Sequence, residues 1–222
     1  MNNLSYLKDF VLFSKMSKKQ LQEIYKLLRH KSYPKGFTLF TQGEKGEKVY
    51  FLRKGRVKVI RSTPSGNEQI LEIIKAGEVF GEVVLFGIDN YPATTRTMEE
   101  IETDILMRSD FKSYFHNNPQ IGWGLLKVMA SKLSKAQKKI EDLGLRDTKG
   151  RVANLILEMM KDSDQENKFI LYLNQSEIAN IVGTSRETVS RTLNEFKNEN
   201  IIKFNNNHLI VKDLEKLNNY LN

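Results

Sequence analysis

The chain has 222 residues, enough for one large domain or two small ones at roughly 100 to 200 residues each. Hydrophobic residues make up 40% and charged residues 28%, a globular composition that excludes disorder, collagen and disulfide scaffolds. The formal charge is +8 and there is no cysteine, which removes disulfides, thiolate metal sites, cysteine-held iron–sulfur clusters and cysteine nucleophiles.

The first residues carry no basic start followed by an apolar run, and no stretch approaches the roughly 20 apolar residues of a membrane span. A cytoplasmic protein without membrane contact is expected. The charge is unevenly placed. Residues 1–145 hold 24 Lys and Arg against 16 Asp and Glu, whereas residues 146–222 hold 11 against 11. Bulk charge therefore serves for general attraction to a polyanion and is no evidence for a motif in the neutral C-terminal third.

In chain order, residues 4–30 carry apolar positions at helical spacing (Leu21, Ile24, Tyr25, Leu28) and predict one or two short helices ending before Tyr33-Pro34. From Lys35 the period changes. Short β-branched and aromatic runs at 38–41, 49–52, 57–60, 70–74 and 78–80, separated by glycines, predict a small antiparallel roll over about 35–110. Pro64-Ser-Gly66-Asn is a hairpin turn within it.

After Pro119 the pattern turns helical for roughly 25 residues. Leu126, Met129, Leu133, Ala136, Ile140 and Leu143 follow one another at spacings of 3, 4, 3, 4 and 3, an a/d seam of about two and a half heptads flanked by lysines. Such a seam fits either a parallel dimer or a helix packed on its own roll. Gly144 is expected to end it. A helix follows from Thr148 (Val152, Leu155, Ile156, Met159), then a polar loop over 161–168, a strand over 169–173, and late in the chain two runs, 201–204 and 208–211, that read as a wing around the turn at Asn205-Asn-Asn207.

Between them, residues 173–193 read as helix, tight turn, helix. Ala179 is small where the helices cross, Gly183 permits the turn, and Val189 packs the second helix back. On that second helix Val189, Leu193 and Phe196 share one side, while Arg186, Glu187, Ser190 and Arg191 occupy an arc of about 140° on the other. Arginine donates two hydrogen bonds to guanine O6 and N7, and glutamate accepts from cytosine N4, so the exposed arc suits a major groove. A purely structural reading also exists: Glu187 with Arg191 as an i,i+4 pair and Thr184 with Glu187 as a capping box. Gln175, Ser176, Thr184, Ser185 and Thr188 suit phosphate contacts, which position without specifying.

Over nearly its whole length the sequence resembles the CRP/FNR family of bacterial transcription regulators. The likeness is carried by Gly183-Thr-Ser-Arg-Glu-Thr-Val-Ser-Arg191 and by the phosphate-cassette-like Gly81-Glu-Val-Val-Leu-Phe86. It implies an α+β fold: an N-terminal antiparallel β-roll (a jelly roll like a cyclic nucleotide-binding domain) over 1–117, a dimerisation helix over 118–145, and a winged helix-turn-helix over 146–222. It also implies a homodimer on an inverted repeat of double-stranded DNA with TGTGA-like half-sites, read by Arg186, Glu187, Ser190 and Arg191, and contact with RNA polymerase. The N-terminal basic residues Lys8, Lys15, Lys18, Lys19, Lys26, Arg29, Lys31 and Lys35 are candidates for such a contact or for a solvated face.

The resemblance places an effector pocket at Gly81, Glu82, Tyr91, Pro92, Ala93, Thr94 and Trp123, although for Trp123 packing between helix and roll is the default. The cyclic-AMP branch sets an Arg-Ser pair where this chain has Tyr91-Pro92, and a Thr-Ser pair where it has Ala136-Gln137. Strand alternation turns the nearest arginine, Arg96, to the opposite face. A cyclic phosphate would lack its cation, so an unidentified small effector other than cyclic AMP, or none, is expected. Haem would need His30 or His116 as a ligand, and a lone histidine is more often a surface or core residue. No metal site is expected. An enzyme of cupin type would need clustered histidines, and His30, His116 and His208 are scattered, with no nucleotide-binding or nucleophile-elbow motif.

Overall fold

A computed structural model describes residues 4–161, 168–205 and 208–221; most of the expected polar loop over 161–168 and of the turn over 205–207 lies outside them. The chain divides into two compact units, Met1–Ser134 and Lys135–Asn222.

In the first unit, two 3₁₀ segments (Leu4–Asp9 and Val11–Phe13) precede α1 (Lys18–Tyr25), which begins with a capping box between Ser17 and Gln20. Eight strands follow: β1 (Arg29–Tyr33), β2 (Thr38–Phe40), β3 (Lys48–Lys54), β4 (Arg56–Ser62), β5 (Glu68–Lys75), β6 (Val79–Phe80), β7 (Thr94–Thr97) and β8 (Ile101–Met107). They form two antiparallel four-stranded sheets, β1-β8-β3-β6 and β2-β7-β4-β5, which is the expected roll. Strand β1 begins earlier than the sequence suggested. Its Arg-His-Lys-Ser-Tyr is an almost wholly exposed edge, so it has no apolar alternation to announce it. The 3₁₀ helix Glu82–Phe86 also interrupts what reads as continuous strand and turn.

The core joins the N-terminal segment to the roll. Leu7, Phe10, Leu12 and Phe13 are buried, and Phe13 stacks on Phe51 of β3 with ring centroids 4.9 Å apart. Helix α2 (Arg108–Asn117) leads to α3 (Ile121–Leu145), which starts two residues after Pro119 and continues one residue past Gly144 rather than stopping there. Ile121 and Leu125 of α3 are buried in the same core. At Gly124 the helix backbone meets that of the N-terminal segment: a Cβ there would lie 2.7 Å from the Leu12 carbonyl oxygen and 2.8 Å from Leu12 Cα.

The second unit holds α4 (Thr148–Lys161), β9 (Lys168–Ile170), α5 (Gln175–Val182), α6 (Arg186–Asn198), β10 (Ile202–Asn205), β11 (His208–Val211) and α7 (Leu214–Asn219). The expected strand over 169–173 is only three residues long, and it pairs with β11 so that the wing is a three-stranded sheet, β10-β11-β9. None of the described helices is long and apolar enough to cross a membrane.

Candidate DNA-recognition helix and effector site

Helix α5 is started by Asn174, whose side chain accepts from the Glu177 N–H at 2.9 Å while Glu177 accepts from the Asn174 N–H at 3.2 Å. It ends at Gly183, with φ of 72°, a left-handed conformation that favours glycine. The N–H groups of Gly183 and Thr184 both donate to the Ala179 carbonyl, at 2.9 and 3.1 Å, which closes the turn. Arg151 of α4 donates from Nε to the Val182 carbonyl at 2.8 Å, satisfying an acceptor at the helix end.

Ser185, not Thr184, caps α6, so the Thr184–Glu187 capping box of the purely structural reading does not form. The Ser185 hydroxyl accepts from the Thr188 N–H at 3.1 Å and lies 3.0 Å from the Thr188 hydroxyl. Val189, Leu193 and Phe196 are buried, as the spacing requires. Arg186, Glu187 and Arg191 are exposed and Ser190 is half-buried; with Gln175 they line one concave surface. Ser176, Thr184, Ser185 and Thr188 are not among the residues lining it. The Glu187–Arg191 pair is not made: among the described residues no side chain hydrogen-bonds or ion-pairs with Arg186 or Arg191, and Arg186 acts on Glu187 only through its charge. The backbone N–H of Glu187 itself and then the Ser185 hydroxyl hold the Glu187 carboxyl below the usual glutamate range, so it faces outward as an anion.

In the first unit, Gly81 (φ of 74°) introduces the 3₁₀ helix, and a Cβ there would approach the Lys48 carbonyl to 3.2 Å. Glu82 is only 2% exposed. One carboxylate oxygen lies 3.1 Å from Lys132 Nζ on α3, a lysine also 3.6 Å from Glu72, and the other has no partner among the described residues. Buried Thr95 likewise has an unpartnered hydroxyl. Lys132 is one of the lysines flanking the apolar seam. Its spacing of 4 and then 7 from Val128 and Leu125 marks it as inward-facing, a signal that was present.

Tyr91 is buried and its ring stacks on Phe40 at 3.7 Å. Its hydroxyl donates to the Lys48 carbonyl at 2.7 Å and accepts from the Lys48 N–H at 3.1 Å. Burial pushes that hydroxyl's pKa up, so it stays protonated. Ala93 is buried, Pro92 is exposed, and the Thr94 hydroxyl accepts from the Gln42 N–H at 3.0 Å. Arg96 turns instead to Glu68, at 3.4 Å. The expectation that Trp123 packs between helix and roll fails, because the indole is 73% exposed. His30 Nδ1 is held by the fully buried Asp104, and no group of three or more His, Asp or Glu among the described residues could hold a metal ion.

A two-sheet roll feeding a long helix and a helix-turn-helix with a wing defines a DNA-binding regulator. Comparison with known proteins makes the family definite. A cyclic nucleotide-binding domain matches residues 30–118 and a Crp-like helix-turn-helix domain matches residues 150–220. The CRP-like cAMP-activated global transcriptional regulator of Mycobacterium tuberculosis is 30% identical over 210 residues, covering 93% of this chain and 94% of that one. The cAMP-activated global transcriptional regulator CRP of Salmonella typhimurium is 32% identical over 183 residues, covering 81% and 87%. Among solved structures, a CooA mutant from Carboxydothermus hydrogenoformans superposes with a TM-score of 0.79 at 26% identity over 96% of each chain. The chain belongs to the CRP/FNR family. It is a transcription regulator with a DNA-binding helix-turn-helix, not an enzyme, and its roll is of the kind that takes a small-molecule effector.

Proposed function

We propose that the protein is a cytoplasmic homodimeric regulator that reads an inverted repeat with TGTGA-like half-sites and acts through RNA polymerase. Residues 1–117 sense the effector, 118–145 dimerise and 146–222 bind DNA. The observation that carries this reading is the row Arg186, Glu187, Ser190 and Arg191 on α6, with neither arginine held in a hydrogen bond or ion pair among the described residues and the opposite face locked in the core. Arg186 and Arg191 would read guanine and Glu187 cytosine, while Ser190, being short, would adjust the fit. Gln175, Ser176, Thr184, Ser185 and Thr188 would lie along the phosphates. Dimerisation is supported by α3, on which Leu126, Leu133, Ile140 and Leu143 are exposed apolar side chains beside half-buried Met129 and exposed Ala136.

The effector is a small molecule other than cyclic AMP. Tyr91 supports this: its ring is stacked away in the core and its hydroxyl is used by the Lys48 backbone, so it supplies no cation for a cyclic phosphate. The named relatives, both cAMP-activated, favour the second reading, that of a cyclic-AMP-responsive regulator. Calorimetry separates the two: no heat is expected at millimolar cyclic AMP, and tight binding would overturn the first. Selection of bound duplexes from random DNA, with and without cyclic AMP, tests the DNA reading. A palindrome with TGTGA-like halves is expected, and no enrichment in either condition would defeat it.

A further inference from the structure

The exposed arc of α6 extends one turn beyond its four candidate readers. With Arg186 at zero and 100° per residue, Ser190 falls at about 40°, Glu187 at about 100° and Arg191 at about 140°, and Asn194 falls at about 80°, in the middle of the row. Asn194 is exposed and lines the same concave surface. Among the described residues nothing engages its carboxamide.

Its neighbours are arranged differently. The Glu195 carboxylate is paired with Lys149 of α4, and Glu199 accepts a hydrogen bond from the Tyr220 hydroxyl at 3.1 Å. The acids that follow it on this half of the helix, at about 180° and 220° on the same scale, are thus tied to other side chains, while the Asn194 amide is left free. Position also suits length. A helix in a groove comes nearest the base edges along the centre line of its facing arc, so a short asparagine suffices there while long arginines reach from the margins.

We infer that Asn194 is a fifth base-reading residue and that it takes adenine. A carboxamide offers a donor and an acceptor in one plane, which matches the N7 acceptor and N6 amino donor that adenine presents in the major groove. About 12 Å along the axis from Arg186, it addresses a base pair of its own. The assignment rests on α6 being the helix that enters the groove.

Random-duplex selection with the full chain, Asn194→Ala and Arg191→Ala tests it. Asn194→Ala is expected to erase the preference for one A·T pair in each half-site, leaving the other positions sharp. Its affinity for the wild-type consensus should fall about 10-fold, with scrambled DNA unaffected and unchanged circular dichroism. An unaltered sequence preference, or equal losses on consensus and scrambled DNA, would overturn the assignment. Arg191→Ala should erase a different position. If it does and Asn194→Ala does not, the recognition helix stands and only Asn194 falls; if neither erases anything, both fall.

Discussion

Helices α3 and α6 are both amphipathic, and they expose opposite faces. On α6 the apolar side, Val189, Leu193 and Phe196, is buried within its own unit and the polar row is left outside. On α3 only Ile121 and Leu125 are buried, while Leu126, Leu133 and Ile140 stand 60 to 70% exposed. What each helix leaves unmatched describes its partner. Exposed leucines at heptad spacing ask for another apolar surface, and unpaired arginines with an ionised glutamate ask for base edges and phosphates.

The contrast can be broken most severely on α3. Replacing Leu133 and Ile140 with aspartate should give monomers in sedimentation and weaken operator binding by about 100-fold or more, because the second half-site is no longer tethered. A persisting dimer would remove the seam. Truncating the apolar side of α6 should instead damage folding: Phe196→Ala is expected to cost about 3–5 kcal/mol in denaturant unfolding, with dimerisation of the folded fraction intact. Next comes the polar face. Arg191→Ala should cost about 1–3 kcal/mol on the specific site at unchanged thermal stability, and equal losses on random DNA would make it a phosphate contact. The smallest effect is expected at Ser185→Ala, where loss of the cap costs about 1 kcal/mol of stability with little change in sequence preference. Glu187 adds a pH test. Its carboxyl lies below the ordinary range, so its contribution to base choice is present at neutral pH and persists as pH falls, failing only once the solution passes below that lowered pKa. A preference at that base lost already at pH 6 would contradict its role.

The glycine-punctuated strands and the helix-turn-helix were legible because each is a periodic pattern that one buried face enforces, and the long helix because its apolar side chains, though exposed here, recur at heptad spacing. Strand β1 was not, since an exposed basic edge has no buried face to write a period into the sequence. The cap of α6 is not legible to the residue: Thr184 and Ser185 are chemically alike, and only the turn geometry after Gly183 chooses between them. Tyr91 was seen to displace an arginine, but its bonds to the Lys48 backbone depend on pairing across 43 positions that spacing cannot reveal.

Gly124 has a practical consequence for anyone seeking a sturdier version of this protein. Replacing a glycine inside a helix by alanine is a routine stabilising exchange, worth up to about 1 kcal/mol. Here the added methyl would meet the Leu12 backbone rather than open space, and backbone cannot swing aside as a side chain can. The rule inverts at this position, so the opening turns of the helix and the segment lying across them form a single joint that can be redesigned only together.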